Sequence, residues 1–217
     1  MIVRIIKALY WRIWSVPKRC STLIARLELW SGSRAFVGRG FTMEGRLRLK
    51  VHRGGVVMIG DHVQMNCGFW CNPVGNECQM CIWVGPRGVL KIESGAGLSG
   101  TTIVCQESVT VGERTYVGGG TRIYDTDFHS LDPAVRLRCH DNQIRTAPVR
   151  IGQECFIGGH SIILKGVRIG DRSVIGAGSV VARDVPADEI WAGNPVKFIR
   201  PLVRTEIANA CQPGREA

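Results

Sequence analysis

Branched aliphatic residues recur at every sixth position in the second half of the chain. The series is Ile151, Ile157, Ile163, Ile169, Ile175 and Val181, and glycine follows the aliphatic in four of the five hexads. A period of six fits neither an α-helix, which repeats every 3.6 residues, nor an isolated strand, which repeats every two. It predicts a parallel β-helix, in which each hexad forms a short strand and a turn and three hexads close one triangular coil.

A weaker form of the rhythm extends the predicted β-helix towards the N-terminus. Val111, Val117 and Ile123 lie six residues apart, whereas the repeat is irregular between Phe36 and Lys91. We therefore expect an all-β domain over residues 32–200 and a C-terminal tail over residues 201–217. After Val181 the pattern ends, which predicts that the chain leaves the solenoid there and that the segment 191–200 packs back on the last coil.

The repeat is broken between Tyr124 and Pro148 by a polar segment that carries acids, arginines and two histidines. A loop this long in a regular solenoid is an excursion, and long loops in compact domains commonly carry function. Insertions in repeat proteins also tend to lie on the binding face. We therefore expect functional residues in the excursion loop 124–148.

Residues 1–31 differ in character from the repeats, because their apolar positions follow helical spacing and only basic charges precede Glu28. Pro17 should end a first helix, and a second is expected from Ser21 to Trp30, with Ser21 as its N-cap and Gly32 after its end. Two interpretations stay open. The segment caps the open end of the solenoid, or it lies in a membrane surface as a basic amphipathic helix.

The composition narrows the choice of partners and compartment. The formal net charge of +10 favours an anionic partner, such as a phosphorylated cofactor or an anionic membrane face. The sequence lacks an apolar run long enough for a transmembrane helix and lacks a signal-peptide cleavage pattern. Nine scattered cysteines favour reduced thiols. These features predict a cytoplasmic protein that could also contact the inner face of the membrane.

Four of the cysteines, Cys67, Cys71, Cys78 and Cys81, are close together in sequence. Four thiols so close together could hold a zinc ion, but their spacing does not match the usual zinc-finger pattern. The alternative is that they are small residues at inward or turn positions of the coils. We therefore do not expect a zinc ion. A γ-type carbonic anhydrase would need three histidines that converge from adjacent coils, and the five histidines do not show that spacing. Nucleic-acid binding is not expected either, since no groove-reading helix or stacking motif is visible.

The best candidate for chemistry is His129, in the sequence Asp125-Thr126-Asp127-Phe128-His129. A histidine flanked by carboxylates can act as a general base, because its pKa lies near working pH and an acid can fix its tautomer. The alternative is a solvated loop histidine with turn aspartates around it. Asp127 is the nearest candidate for the orienting acid.

Together, the hexads, the histidine loop, the segments 156–160 and 175–179 and the terminal segment 192–200 resemble the hexapeptide-repeat acyltransferases. The branch they most resemble contains the galactoside, maltose and nodulation-factor O-acetyltransferases, with capsule and lipopolysaccharide members. The resemblance covers about half of the chain, from Ile92 to Arg200. It implies a left-handed parallel β-helix and a homotrimer with sites between neighbouring copies, using acetyl-CoA as acyl donor.

The resemblance also implies roles for particular residues. His129 matches the catalytic base, with Asp127 beside it, and Gly159 matches the position whose backbone N–H holds the acyl oxygen. Ala177 matches a turn residue that contacts the pantetheine arm, and Phe156 stands where many members have tryptophan. The residues that match basic groups near the cofactor's phosphates are Arg183, Lys197 and Arg200. The stretch 97–101 lacks the asparagine that several sugar acetyltransferases place beside the acceptor.

The function expected from these features is transfer of an acetyl group from acetyl-CoA to a sugar hydroxyl, in surface-polysaccharide biosynthesis. The basic N-terminus supports the narrower claim, since lipid-linked glycans are bound to membranes. N-acetylation of an amino sugar nucleotide is an alternative, because the same base would serve an amine. A non-catalytic β-helix scaffold is a second alternative, in which His129 would be dispensable.

Overall fold

The computed structural model describes residues 18–32, 34–67, 74, 79–137 and 143–203. One helix, α1 (Lys18–Gly32), precedes twenty strands, and a four-residue helix, α2 (Pro133–Arg136), lies in the excursion loop. The first four coils contain β1 (Arg34–Val37), β2 (Thr42–Gly45), β3 (Leu47–Val51), β4 (Val56–Ile59), β5 (Gln64–Cys67), β6 (Met80–Val84), β7 (Val89–Ile92), β8 (Gly97–Ser99), β9 (Thr102–Cys105), β10 (Ser108–Val111), β11 (Tyr116–Val117) and β12 (Arg122–Tyr124).

The last two complete coils follow the excursion loop. They contain β13 (Val149–Ile151), β14 (Phe156–Ile157), β15 (Ile162–Ile163), β16 (Arg168–Ile169), β17 (Val174–Ile175) and β18 (Val180–Val181), and the chain ends in β19 (Glu189–Ala192) and β20 (Lys197–Pro201). Every third strand pairs in parallel with its equivalent on the next coil. This produces three sheets: sheet A begins with β1, sheet B with β2 and sheet C with β3. The turns between them form an A–B corner, a B–C corner and a C–A corner.

The six aliphatics of the period-six series are all buried on the solenoid axis, as the pattern predicts. Ile151 pairs in register with Ile169, Ile157 with Ile175, and Ile163 with Val181. Burial of one such side chain contributes about 1.5–3 kcal/mol to folding, so stacked aliphatics are the main source of stability along the axis. The prediction of a parallel β-helix is confirmed.

The region from Phe36 to Lys91 is more regular than its sequence indicates. Strands β1 to β6 form two full coils, and β4 pairs with β7 in an unbroken parallel register. The inward positions there are filled by Phe41, Met43, Met65 and Met80 as well as by branched aliphatics. Larger side chains share the axial positions with the branched aliphatics, which is why the six-residue rhythm is irregular in this part of the sequence.

Helix α1 lies across the first coil and contacts β1, β2 and β3. It begins at Lys18, so Ser21 is a buried residue within the helix and not its N-cap, and Gly32 is its last residue. Ser21, Ala25 and Leu29, spaced by four, face the coil. The Thr22 hydroxyl accepts from the N–H of Met43 at 2.9 Å. The first predicted helix, in residues 1–17, lies outside the described residues.

The solenoid also continues past the point where the repeat ends in sequence. Val185 is buried and forms a parallel bridge with Ile169, so the chain stays on sheet A where we expected it to leave. Strand β19 then adds to sheet B beside β17, and β20 returns antiparallel to it, in line with the expected packing of residues 191–200 on the last coil. Among the described residues, no helix is long and apolar enough to cross a membrane.

Candidate functional site

The excursion loop begins at a residue with a buried carboxylate. Asp125, which directly follows β12, accepts hydrogen bonds from the backbone N–H groups of Gln106, Glu107 and Ser108 at 2.7–2.9 Å. Burial raises the pKa of the Asp125 carboxyl, and the three N–H donors oppose that rise. Asp125 therefore fixes the start of the loop to the C–A corner of the coil below. This role of Asp125 is not apparent from the sequence, in which the available signal is an acid at the first position after a strand.

A short antiparallel stalk carries the loop outwards. Thr126 forms a bridge with Thr146, the N–H of Asp127 donates to the carbonyl of Arg145 at 3.1 Å, and the N–H of Ala147 donates to the carbonyl of Asp125 at 3.0 Å. The coil above joins the stalk, since the N–H of Gly166 donates to the carbonyl of Ala147 at 3.1 Å. The two chain segments that flank the loop are thus held by both neighbouring coils.

The Asp127 carboxylate forms an ion pair with Lys165, with 3.1 Å between Oδ1 and Nζ. Both side chains are partly buried, and Oδ2 of Asp127 is buried without a hydrogen-bond partner among the described residues. Orientation of His129 by Asp127 stays a prediction. Lys165 was missed because it is remote in sequence, yet it lies in Ile163-Leu164-Lys165-Gly166, the one hexad that lacks glycine after its aliphatic.

His129 is exposed at the end of the stalk, between two locally ordered turns. On one side, Phe128 has φ +65° and its N–H donates to the Thr126 hydroxyl at 3.2 Å. On the other side, the Asp132 carboxylate caps α2 by accepting from the N–H of Ala134 at 2.8 Å. A positive φ in a phenylalanine is costly and persists only where the surrounding structure holds it. The backbone on both sides of the imidazole is therefore fixed.

The B–C corner is built from glycine-rich turns that stack closely. A Cβ added to Gly118 would lie 2.5 Å from the nitrogen of Gly159, and one added to Gly158 would lie 2.4 Å from the nitrogen of Ala177. At the same corner the imidazole of His160 covers Gly120, which would place an added Cβ 2.6 Å from Nδ1. His160 therefore packs against the coil below.

Some turns of the A–B corner differ from those of the B–C corner in whether a side chain accepts the N–H of the second turn residue. At the A–B corner the N–H of Arg39 donates to the Asp61 carboxylate at 2.7 Å, and that of Gln153 donates to Asp171 at 3.1 Å. At the B–C corner the equivalent N–H groups of Gly159 and Ala177 donate to no acceptor within the described part of the chain. Rigid N–H donors without partners suit a carbonyl oxygen that gains negative charge.

The remaining predicted residues are divided between two edges of the solenoid. Phe156 points outwards from β14 and is 51% exposed, three residues before Gly159. Lys197 pairs with Ala192 in the terminal hairpin, at the same corner as Ala177.

Arg183 lies at the C–A corner. The guanidinium of Arg200 donates a hydrogen bond to the carbonyl of Pro201 at 3.1 Å. One chain therefore gathers Phe156, Gly159, Ala177 and Lys197 at the B–C corner. Arg183 and the loop with His129 leave from the C–A corner.

No group of three or more His, Cys, Asp or Glu side chains that could hold a metal ion occurs in the described ranges. Of the four clustered cysteines, Cys67 is buried and its thiol contacts the Met80 sulfur at 3.4 Å, and Cys81 is half-buried. Cys71 and Cys78 lie outside the described residues.

Residues 148–183 match a family model described as the hexapeptide repeat of succinyl-transferase. The galactoside O-acetyltransferase of Escherichia coli K12 is 36% identical over 101 residues, which cover 46% of this chain and 48% of that enzyme. The chain thus spans about half the length of that curated relative.

Two solved structures are similar over most of the chain. A hexapeptide-repeat acetyltransferase of Vibrio cholerae, in complex with acetyl-CoA, is 26% identical with a TM-score of 0.51, and the match covers 84% of this chain and 76% of that one. AntD of Bacillus cereus, an N-acyltransferase, has a TM-score of 0.64 at 20% identity, and the match covers 88% of this chain and 91% of that one. The latter similarity concerns the fold.

The stacked hexapeptide coils and the excursion loop define the class as left-handed parallel β-helix proteins. The sequence similarities add that the chain resembles hexapeptide-repeat acetyltransferases, among them galactoside O-acetyltransferase, over about half of its length.

Proposed function

We propose that this protein transfers an acetyl group from acetyl-CoA to the hydroxyl group of a sugar, in the assembly of a surface polysaccharide. The observation that carries the proposal is the pair of N–H groups of Gly159 and Ala177, for which the described part of the chain provides no acceptor. Similarity to the galactoside O-acetyltransferase and to the acetyl-CoA complex from Vibrio cholerae supports the choice of donor and reaction.

In the proposed reaction His129 removes the proton from the acceptor hydroxyl as its oxygen attacks the thioester carbonyl carbon. The carbonyl oxygen becomes an oxyanion that accepts from the N–H of Gly159. The carbon–sulfur bond then breaks, the ester remains on the sugar, and the CoA sulfur takes the proton from the imidazolium. Ala177 and Phe156 would contact the pantetheine arm, and Lys197, Arg183 and Arg200 would face the phosphates.

The proposed site requires more than one copy of the chain. The loop with His129 and the turn with Gly159 leave the solenoid at different corners, which supports a homotrimer in which one copy's loop faces the B–C corner of its neighbour. The test is complementation between inactive variants. A mixture of His129→Ala and Gly159→Val chains, refolded together, should regain activity that neither variant has alone, and no regain would reject a shared site.

The direct test of the function is a screen of acceptors with acetyl-CoA, read as release of free CoA thiol. Each hydroxyl sugar should be paired with its amino analogue, since the same base would serve N-acetylation. His129→Ala should lower turnover by about a hundredfold or more while CoA affinity stays unchanged. Absence of CoA binding to the wild-type protein would favour a scaffold, and unchanged turnover in the variant would remove His129 from the mechanism.

We also propose that residues 1–31 contact a membrane surface, where lipid-linked acceptors would be found. Leu23, Ile24 and Leu27 of α1 are about half exposed, on the side of the helix turned away from the first coil. Deletion of residues 1–31 should abolish co-sedimentation with anionic vesicles. Aggregation of the truncated protein would instead indicate that the segment mainly covers the solenoid end.

A further inference from the structure

The outward surface of sheet C over its first four strands has an unusual composition, and we refer to it as the sheet C face. It carries three cations, two aromatic rings and no carboxylate. Its outward residues are Arg48, Lys50, Cys81, Trp83, Thr102, Val104, Arg122 and Tyr124. Arg48, Lys50 and Arg122 form no ion pair with an acid of the described residues.

One column of this face runs without interruption to the candidate base. Lys50, Trp83, Val104 and Tyr124 are consecutive register partners on β3, β6, β9 and β12. Neighbouring strands are about 4.8 Å apart, so the column extends roughly 14 Å along the solenoid. At its far end the ring of Tyr124 meets that of Phe128 edge to face, with 5.1 Å between centroids, and Phe128 directly precedes His129.

The near end of the column combines an aromatic ring with positive charge. Nζ of Lys50 lies 4.5 Å from the centre of the Trp83 ring, and the His52 ring stacks on the same indole with 6.1 Å between centroids. Trp83 remains 41% exposed. A depression of about 510 Å³ beside it is lined by Arg48, Lys50, Cys81 and Trp83. Apolar walls with a few fixed polar groups are typical of small-ligand sites.

Partly exposed aromatic rings and cations that form no ion pair can bind different parts of one ligand. A ring face packs against the apolar C–H face of a sugar, while guanidinium and ammonium groups bind phosphate through charge-assisted hydrogen bonds. Burial of Val104 between Trp83 and Tyr124 gives the column a continuous apolar floor. A ligand lying on this floor would present its sugar towards His129 and its anionic group towards Lys50.

Resting on the proposed function, we propose that the sheet C face is the acceptor subsite and that it selects a glycan carrying a phosphate group. The sugar rings pack on Trp83 and Tyr124, and the phosphate is bound by Arg48 and Lys50. The acceptor is therefore an activated or carrier-linked sugar phosphate, and a free neutral sugar binds weakly.

The test uses glucose, galactose and N-acetylglucosamine 1-phosphates, each paired with its neutral methyl glycoside, and measures binding to the full-length protein by ligand-observed NMR. The wild-type protein should prefer one of the phosphates by about tenfold or more over its neutral partner. Arg48→Gln combined with Lys50→Gln should abolish that preference. Trp83→Ala should weaken both members of the pair.

The matched control removes the same charge from another face. Arg150→Gln combined with Arg168→Gln acts on two exposed, in-register arginines of sheet A and should leave the preference unchanged. CoA affinity, measured by calorimetry, and oligomeric mass should stay at wild-type values in all variants.

Five results would overturn the proposal. The first is equal loss of preference in both double variants, and the second is absence of sugar binding. The third is a parallel loss of CoA affinity, which would assign the cations to the donor. The fourth is a change of oligomeric mass, which would make the face an interface between copies. Loss of vesicle binding with sugar binding intact would likewise assign the face to a membrane. If the wild-type protein binds the sugar phosphates but neither binds nor consumes acetyl-CoA, the reaction is wrong and the binding site stands.

Discussion

At the scale of single residues, the loop that carries the candidate base depends on side chains from other coils. Asp125 accepts from three backbone N–H groups of the coil below, and Asp127 is paired with Lys165 of the coil above. An ion pair with limited exposure is worth more than one on the open surface, because removal of one partner leaves the other charge poorly solvated.

Replacement of Lys165 by methionine should therefore lower the free energy of unfolding by about 1–2 kcal/mol, as measured by urea denaturation. Lys91→Met is the matched control, because the Lys91–Glu93 pair is more exposed and should contribute less than about 0.5 kcal/mol. Combining Lys165→Met with Asp127→Asn should recover part of the loss. Equal effects of Lys165→Met and Lys91→Met would show that the Lys165 pair does not hold the loop.

The thiol of Cys105 provides a test of the same region with a pH signature. Burial, followed by the nearby charge of Asp125, raises the pKa of Cys105 from 9.0 to about 12. The folded pKa lies above the unfolded one, so this contribution to stability is complete below pH 9 and is lost as the pH rises towards 12. At pH 8.5 iodoacetamide should label Cys81 well before Cys105 in the native protein, as followed by mass spectrometry. Equal rates would contradict the buried position.

At the scale of elements, the two corners show how one turn can serve either stability or chemistry. Asp61 and Asp171 cap the N–H of the equivalent residue one coil below, whereas Ala177 occupies that position above Gly159 and offers no acceptor. The turns are otherwise equivalent and differ in one side chain, that of Asp171 or Ala177. A single substitution at this position can therefore test the proposed oxyanion donor without disturbing the coil.

Ala177→Asp should install the missing cap, because its carboxylate would accept the N–H of Gly159 as Asp171 accepts that of Gln153. Turnover should fall by about a hundredfold, while the melting temperature stays the same or rises. The control, Asp171→Ala, should cost about 1 kcal/mol of stability and leave turnover unchanged. Wild-type turnover in Ala177→Asp would show that the N–H of Gly159 is not used.

At the scale of the whole molecule, stability comes from one continuous axis of stacked side chains. Ile163 is fully buried on that axis, and its neighbour Ile162 points outwards from the same strand. The coils are held mainly by contact with the coils above and below, so a charge on the axis disrupts several of them together.

Ile163→Asp should therefore leave the protein unfolded or insoluble, since an unpaired charge in an apolar core costs several kcal/mol. Ile162→Asp, one position away, should fold with a nearly unchanged melting temperature, as followed by circular dichroism. A folded Ile163→Asp variant would disprove the assignment of inward and outward positions.

How far the sequence predicts this molecule depends on whether a feature is periodic. The buried series from Ile151 to Val181 follows directly from the period of six, and the excursion loop follows from its interruption. The repeat is harder to follow between Phe36 and Lys91, because Met43 and Met65 fill axial positions without a branched-aliphatic signature. The pair between Asp127 and Lys165 joins residues on different coils, so neither spacing nor local composition predicts it.

The final hairpin has a consequence for how copies of this chain can associate. Because β20 runs opposite to every strand below it, the open edge of sheet B has the wrong polarity to accept the first coil of another chain in parallel. At the opposite end α1 covers the first coil. The antiparallel strand at one end and the helix at the other therefore both oppose head-to-tail polymerisation into fibres. Lateral association through the outer surfaces of the three sheets remains possible.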